Sequence, residues 1–380
     1  MMRASCQRPL PCVRWRHSVG VLVASLMVFT ACERRGAKQN GPPAEDGNTR
    51  TSAWQVVSST KNGALGGSDV VAEGKTQASV PSGNPAATAG STLASAASAG
   101  NVASRMRLAM EELTWTFQDE NFGRIDVVVV LPDRRAGEKF PLLIALHGRG
   151  EAMKGPERGA RGWVDDYALR RAMQRLDSPP LTVRDFEGFV TEKRLLTLNH
   201  ALARKPYGGL VVVCPYTPDL LAGDKPFERA KPYARFLKEV LLPRVRRELP
   251  VIGSAESTGI DGVSLGGRVG FLSGLYVPEE FHTIAGLQAA FDSHDASALG
   301  LLGDAALRQN PKLMFRLLTS DRDFFLDANQ AIGIEFERRR HPFRLLVVPG
   351  PHDYVFNRGP GALEMLFFHD RALRFAGWPP

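Results

Sequence analysis

The segment GIDGVSLGGRVG, residues 259–270, sets one serine, Ser264, between two glycines, Gly262 two places before it and Gly266 two places after. An apolar run leads into it, and helix-like spacing follows from about Leu265 to Tyr276. A plain turn would account for the small residues. The flanking strand and helix point to something narrower, a nucleophile held on a tight strand-to-helix bend. Such a bend forces its central residue into backbone angles that bulky neighbours would block. The helix starting at Leu265 would also turn its unpaired N–H groups toward the serine, where negative charge can be stabilised.

Outward from this segment, apolar runs alternate with helical spacing. LTWTF and RIDVVVVLP, joined by Asp119 to Gly123, read as a hairpin. FPLLIALHG (140–148) and GGLVVVCPY (208–216) are continuous apolar runs, as expected of strands buried on both faces. TGIDGVS and FHTIAGLQAA flank the helix after Ser264, and PKLMFRLLTS and PFRLLVVPG are the last two strands. RFLKEVLLPRVRREL (235–249) has helical spacing in spite of Pro243, and further helices are expected over 325–339 and 360–376. This alternation predicts an α/β fold with a mostly parallel central sheet and helices on both faces. The carboxyl ends of its strands should form the working edge. Residues 150–207 break the rhythm with Trp163, two helix-like stretches and a Pro pair. An insertion of that length is expected over the active-site edge, as a lid, a substrate wall or a surface elaboration.

A serine hydroxyl is a poor nucleophile at neutral pH and needs a base, which in turn needs an orienting acid. His352, in VVPGPHDYVF, follows the last predicted strand, and Asp321 and Asp323, in LLTSDRDFFLDANQ, follow the one before. Serine, acid and histidine thus fall at successive strand ends. Either aspartate could instead cap the helix that follows. His147, before Gly148, reads as a residue that holds a turn. His200, His282, His294 and His341 lack metal-ligand spacing, and no metal or organic cofactor is implied. Phe324, Phe325, Tyr354 and Phe356 read first as core and second as substrate contacts. Arg149 and Arg358 read as solvated charges, or as partners for an acidic substrate group.

Four stretches carry a family resemblance: LHGRG (146–150), GVSLGG (262–267), SDRDFFLDANQ (320–330) and GPHDYVF (350–356). Together and in this order, residues 112–376 resemble the esterase D-like branch of the α/β-hydrolase fold, which includes feruloyl and siderophore esterases and mycolyltransferases. The resemblance implies a serine esterase with Ser264 as nucleophile, His352 as general base and Asp323 as the acid, with Asp321 the alternative. It further implies an oxyanion hole formed by the backbone N–H groups of Leu265 and Arg149. An acyltransferase, a peptidase or a non-catalytic binding protein could share the same scaffold.

The first 31 residues carry Arg3, Arg8, Arg14 and Arg16 and no acidic residue, and they end in the 13-residue apolar run VGVLVASLMVFTA (19–31), directly before Cys32. The run is short for a spanning helix and suits a secretory signal. FTAC resembles the lipobox of bacterial lipoproteins, which implies lipidation at Cys32 and a membrane anchor. Glu33 after the cysteine resembles the pattern of outer-membrane sorting, with the chain on the periplasmic side. Residues 32–105 are rich in Gly, Ala, Ser, Thr and Pro and read as a flexible linker, leaving 106–380 as the catalytic domain. Removing the four arginines of the leader lowers the net charge from +8 to +4, too little and too scattered for nucleic-acid binding. Cys214, in an apolar run, reads as a buried strand residue. Composition gives no indication of oligomeric state.

Overall fold

The computed structural model describes residues 107–221, 225–375 and 377–380. The expected leader (1–31), Cys32 and the whole expected linker to residue 105 lie outside the described residues, so the following concerns residues 107–380 as described.

Eight strands form one sheet: β1 (Glu111–Asp119), β2 (Gly123–Leu131), β3 (Leu142–Leu146), β4 (Val211–Pro215), β5 (Thr258–Gly262), β6 (Thr283–Leu287), β7 (Met314–Arg322) and β8 (Phe343–Pro351). Their order across the sheet is β8-β7-β6-β5-β3-β4-β2-β1. From β3 to β8 neighbouring strands run parallel. The β1–β2 hairpin is antiparallel, and β2 also pairs antiparallel with β4. The continuous apolar runs became the central strands β3 to β6, buried along their whole length. The sheet is covered on both faces, as the α/β reading requires.

Alternation along the strands divides the core in two. Val127, Val129, Leu142 and Ile144 join Phe271, Phe315 and Phe336 on one face. Val128, Val130, Leu143 and Ala145 join Trp163, Leu169, Leu363 and Leu366 on the other. Successive side chains of a strand point to opposite faces, so a one-residue step in sequence is a change of core.

The insertion belongs largely to that second core. Trp163, Leu169, Met173, Leu176, Phe186, Leu198 and Leu202 are buried there against the C-terminal helix Ala362–Phe375 and its neighbours. At roughly 1.5–3 kcal/mol per buried side chain, these residues contribute as much as the whole net stability of about 5–15 kcal/mol for a typical domain. The insertion is therefore part of the folding unit rather than a detachable cap. Only parts of it reach the working edge: the stretch up to Tyr167, and Phe189, whose ring lies against Gly350 and Arg322.

One helix differs from expectation. The expected span 235–249 is the second half of a run that begins nine residues earlier: Pro226–Phe236, a wide π-type turn Leu237–Leu241, then Leu242–Glu248. Pro226 and Pro232 mask its start in the sequence. Pro226 sits in the first turn, where a missing N–H is harmless. The wide turn ahead of Pro243 loosens the hydrogen-bond ladder where that ring has to fit.

Candidate active site

Every residue from Thr258 to Leu275 is buried except Ser264. That single partly exposed side chain follows β5 and precedes the helix Leu265–Tyr276. Its backbone sits at φ +56° and ψ −114°, a region that costs a non-glycine residue about 1–3 kcal/mol. Three hydrogen bonds hold it there. The Ser264 N–H donates to the Leu287 carbonyl at 2.9 Å, and the Ser264 carbonyl accepts from the N–H groups of Ala290 (3.0 Å) and Arg268 (3.1 Å). Gly266 makes the close approach possible: a Cβ there would lie 2.5 Å from the carbonyl oxygens of both Leu146 and His147.

At the end of β8, His352 Nδ1 lies 2.8 Å from Asp323 Oδ1. The same carboxylate accepts from the Phe325 N–H at 2.9 Å on Oδ1 and from the Thr319 hydroxyl at 2.6 Å on Oδ2. Asp323 is buried, and with three donors around it the carboxylate accepts from the imidazole in one fixed orientation. Asp321 is more than half exposed and lies 3.7 Å from Arg322 Nε. It accepts from the Gly350 N–H at 2.9 Å, tying the end of β7 to β8.

Leu265 and Arg149 each open a helical turn after a strand, so neither N–H has an intrahelical acceptor. His147 sets the second of these. Its Nδ1 lies 2.9 Å from the Gly148 carbonyl, and its Nε2 accepts from the Thr217 N–H at 2.9 Å. Those partners fix the ring as the neutral Nδ1–H form. Burial agrees, pushing the imidazole down to about 4. In a trans peptide the carbonyl and N–H point opposite ways. The bond that draws the Gly148 oxygen to the ring therefore aims the Arg149 N–H away from it. The Arg149 side chain is solvated and paired with Asp219 at 2.8 Å, and Arg358 donates to the Asp166 carbonyl at 2.8 Å.

No protein-family model and no curated protein matches the chain. Among solved structures, a ferulic acid esterase aligns with a TM-score of 0.51 at 16% identity, over 69% of this chain and 98% of its own. An S-formylglutathione hydrolase from Staphylococcus aureus aligns with a TM-score of 0.47 at 14% identity, over 69% of this chain and 96% of that one. An enterobactin esterase from Shigella flexneri aligns with a TM-score of 0.46 at 17% identity, over 70% of this chain and 60% of that one. The chain has the α/β-hydrolase fold.

Several residues of the α/β-hydrolase edge left no sequence signal. Gln288, at φ +44° and fully buried, donates through Nε2 to the Ser320 hydroxyl at 2.7 Å and to the Pro351 carbonyl at 2.9 Å. It thus holds the residue preceding His352. Thr319 supports Asp323, and Glu151 lies buried beside the Gly148 turn. The aromatic residues divide differently from the core reading. Phe356 is buried, but Phe324 is 72% exposed, and its ring centroid lies 4.2 Å from that of His352. Tyr354 is also partly exposed. A ring placed at the end of a strand on the open edge has no core to enter, so adjacency in sequence to buried aromatics misleads.

Proposed function

We propose that the chain is a serine hydrolase that cleaves carboxylic esters through an acyl-enzyme on Ser264. The observation that carries this reading is the isolation of Ser264, the one partly exposed residue of an 18-residue buried stretch, held in strained geometry after β5. The His352–Asp323 pair supports it.

In this reading Asp323 holds the Nδ1–H of His352, which leaves Nε2 to take the proton from the Ser264 hydroxyl. The Ser264 oxygen attacks the ester carbonyl, and the N–H groups of Leu265 and Arg149 receive the developing oxyanion. Collapse of the tetrahedral species expels the alcohol, which takes its proton from His352. Water, deprotonated by the same ring, then attacks the acyl-enzyme and releases the acid. We also propose, from the leader sequence, that Cys32 carries a lipid that anchors the domain through the linker on the periplasmic face of a bacterial membrane.

Ser264→Ala is expected to lower turnover of p-nitrophenyl butyrate by at least about 10⁴-fold and to abolish labelling by a fluorophosphonate. Persistent turnover, or labelling of the alanine variant, removes Ser264 as nucleophile. Ester formation in the presence of an added alcohol would reassign the second half-reaction to acyl transfer.

A further inference from the structure

The mechanism above makes no use of a buried carboxylate beside the oxyanion turn. Glu151 is 1% exposed. Its Oε2 accepts from the Tyr167 hydroxyl. Its Oε1 accepts from the Tyr354 hydroxyl at 2.7 Å, with Lys154 Nζ at 3.5 Å. The Tyr167 hydroxyl accepts in turn from the Gly148 N–H at 3.2 Å. Burying a carboxylate without partners costs several kcal/mol. Here each oxygen has a phenol. Burial, and the nearby Glu151, raise both phenols above their ordinary range, so they remain protonated donors at neutral pH. Tyr167 accepts from Gly148 while donating to Glu151, which leaves its hydroxyl a single orientation.

The chain positions of these groups give the network its meaning. Glu151 is two residues after Arg149, whose N–H is a proposed oxyanion donor. Tyr354 is two residues after His352, the proposed base. Tyr167 belongs to the insertion. The fit is close: a Cβ on Gly148 would lie 3.0 Å from the Tyr167 hydroxyl, and one on Gly150 would lie 2.6 Å from the Tyr354 hydroxyl. Among the described residues this carboxylate joins the turn after β3, the insertion and the turn after β8.

We infer that Glu151 is a positioning residue: through Tyr167 and Tyr354 it fixes the spacing between the oxyanion donor at Arg149 and the imidazole of His352. The inference rests on the serine-hydrolase reading. A merely structural role would lower stability and leave the chemistry of folded enzyme intact. A spacing role acts on the transition state, because substrate binding does not require the donor and the base to be in register.

The test compares Tyr167→Phe, Tyr354→Phe and Glu151→Gln with the unsubstituted chain and with Ser264→Ala. The phenylalanine variants keep the rings in place, so they report even where Glu151→Gln fails to fold. Each phenylalanine variant is expected to lower kcat for p-nitrophenyl butyrate by about 10-fold or more, with KM within about twofold. Affinity for an aryl trifluoromethyl ketone, which forms an oxyanion on the serine, should fall by a similar factor. Unchanged kcat and ketone affinity in both variants, or a loss confined to KM or to the melting temperature, overturns the assignment. If Ser264→Ala is inactive while both tyrosine variants keep full activity, only the role of Glu151 is lost. If Ser264→Ala keeps its turnover, the hydrolase reading fails and the assignment fails with it.

Discussion

Asp321 and Asp323 stand two residues apart, and the sequence offered both as the acid. Their surroundings separate them, since Asp323 faces His352 from a buried site and Asp321 caps a backbone N–H at the surface. Asp323→Asn is expected to lower kcat by about 10³–10⁴-fold, and Asp321→Asn to stay within about threefold of the parent. The reverse ranking in steady-state kinetics would exchange their roles. His147 makes a different kind of prediction. Its imidazole titrates near 4 in the folded chain because burial disfavours the charge. The ordinary value is near 6.5, so between pH 6.5 and 4 the unfolded chain binds the extra proton. Its contribution is whole above pH 6.5 and is lost as the pH falls toward 4, on the order of 3 kcal/mol. Burial lowers His282 and His369 as well, which adds to the same trend. Urea midpoints measured across this window should therefore drop with falling pH, and less steeply in His147→Asn. Equal slopes in the two proteins would remove His147 as a source.

At the scale of elements, the bend after β5 works because two backbones meet without side chains between them. Gly266→Ala would put a methyl group 2.5 Å from two carbonyl oxygens of the turn that carries His147. Both neighbours are backbone, so relief has to come from displacing the helix or the turn after β3. A destabilisation of about 3 kcal/mol is expected, together with a loss of the proposed esterase activity in the fraction that remains folded. Chemical denaturation that showed parent-like stability would argue against so tight an approach. The elements themselves were largely legible. All eight strands were read from the sequence, and the clearest was Leu142–Leu146 in FPLLIALHG, where burial on both faces leaves no polar residue to confuse the pattern. The prolines at 226 and 232 hid the first half of a helix, since their usual meaning is a stop. Glu151 was invisible for a physical reason. In GRGEAMKG it reads as one more surface acid, and its burial follows only from tyrosines 16 and 203 residues further along.

For the molecule as a whole, the two cores explain why the insertion could not be assigned from sequence. Its helices carry apolar residues that suit a lid, a wall or a surface elaboration, and it is the C-terminal helix meeting them that draws most of them into the second core. The leader supplies the remaining prediction. Cys32→Ala should move the protein from the membrane pellet to the soluble fraction on fractionation of producing cells, and should abolish incorporation of labelled palmitate. Membrane retention without label would point to an uncleaved anchor instead. One further property follows from where β4 lies. Cys214 sits in it with no exposed surface, and burial raises its thiol far above the ordinary range. Alkylating reagents attack the thiolate, so they can reach this sulfur only when the middle of the sheet opens. The domain thus carries its own clock for opening, read as the rate at which iodoacetamide adds to Cys214 as distinct from the chain's other three cysteines.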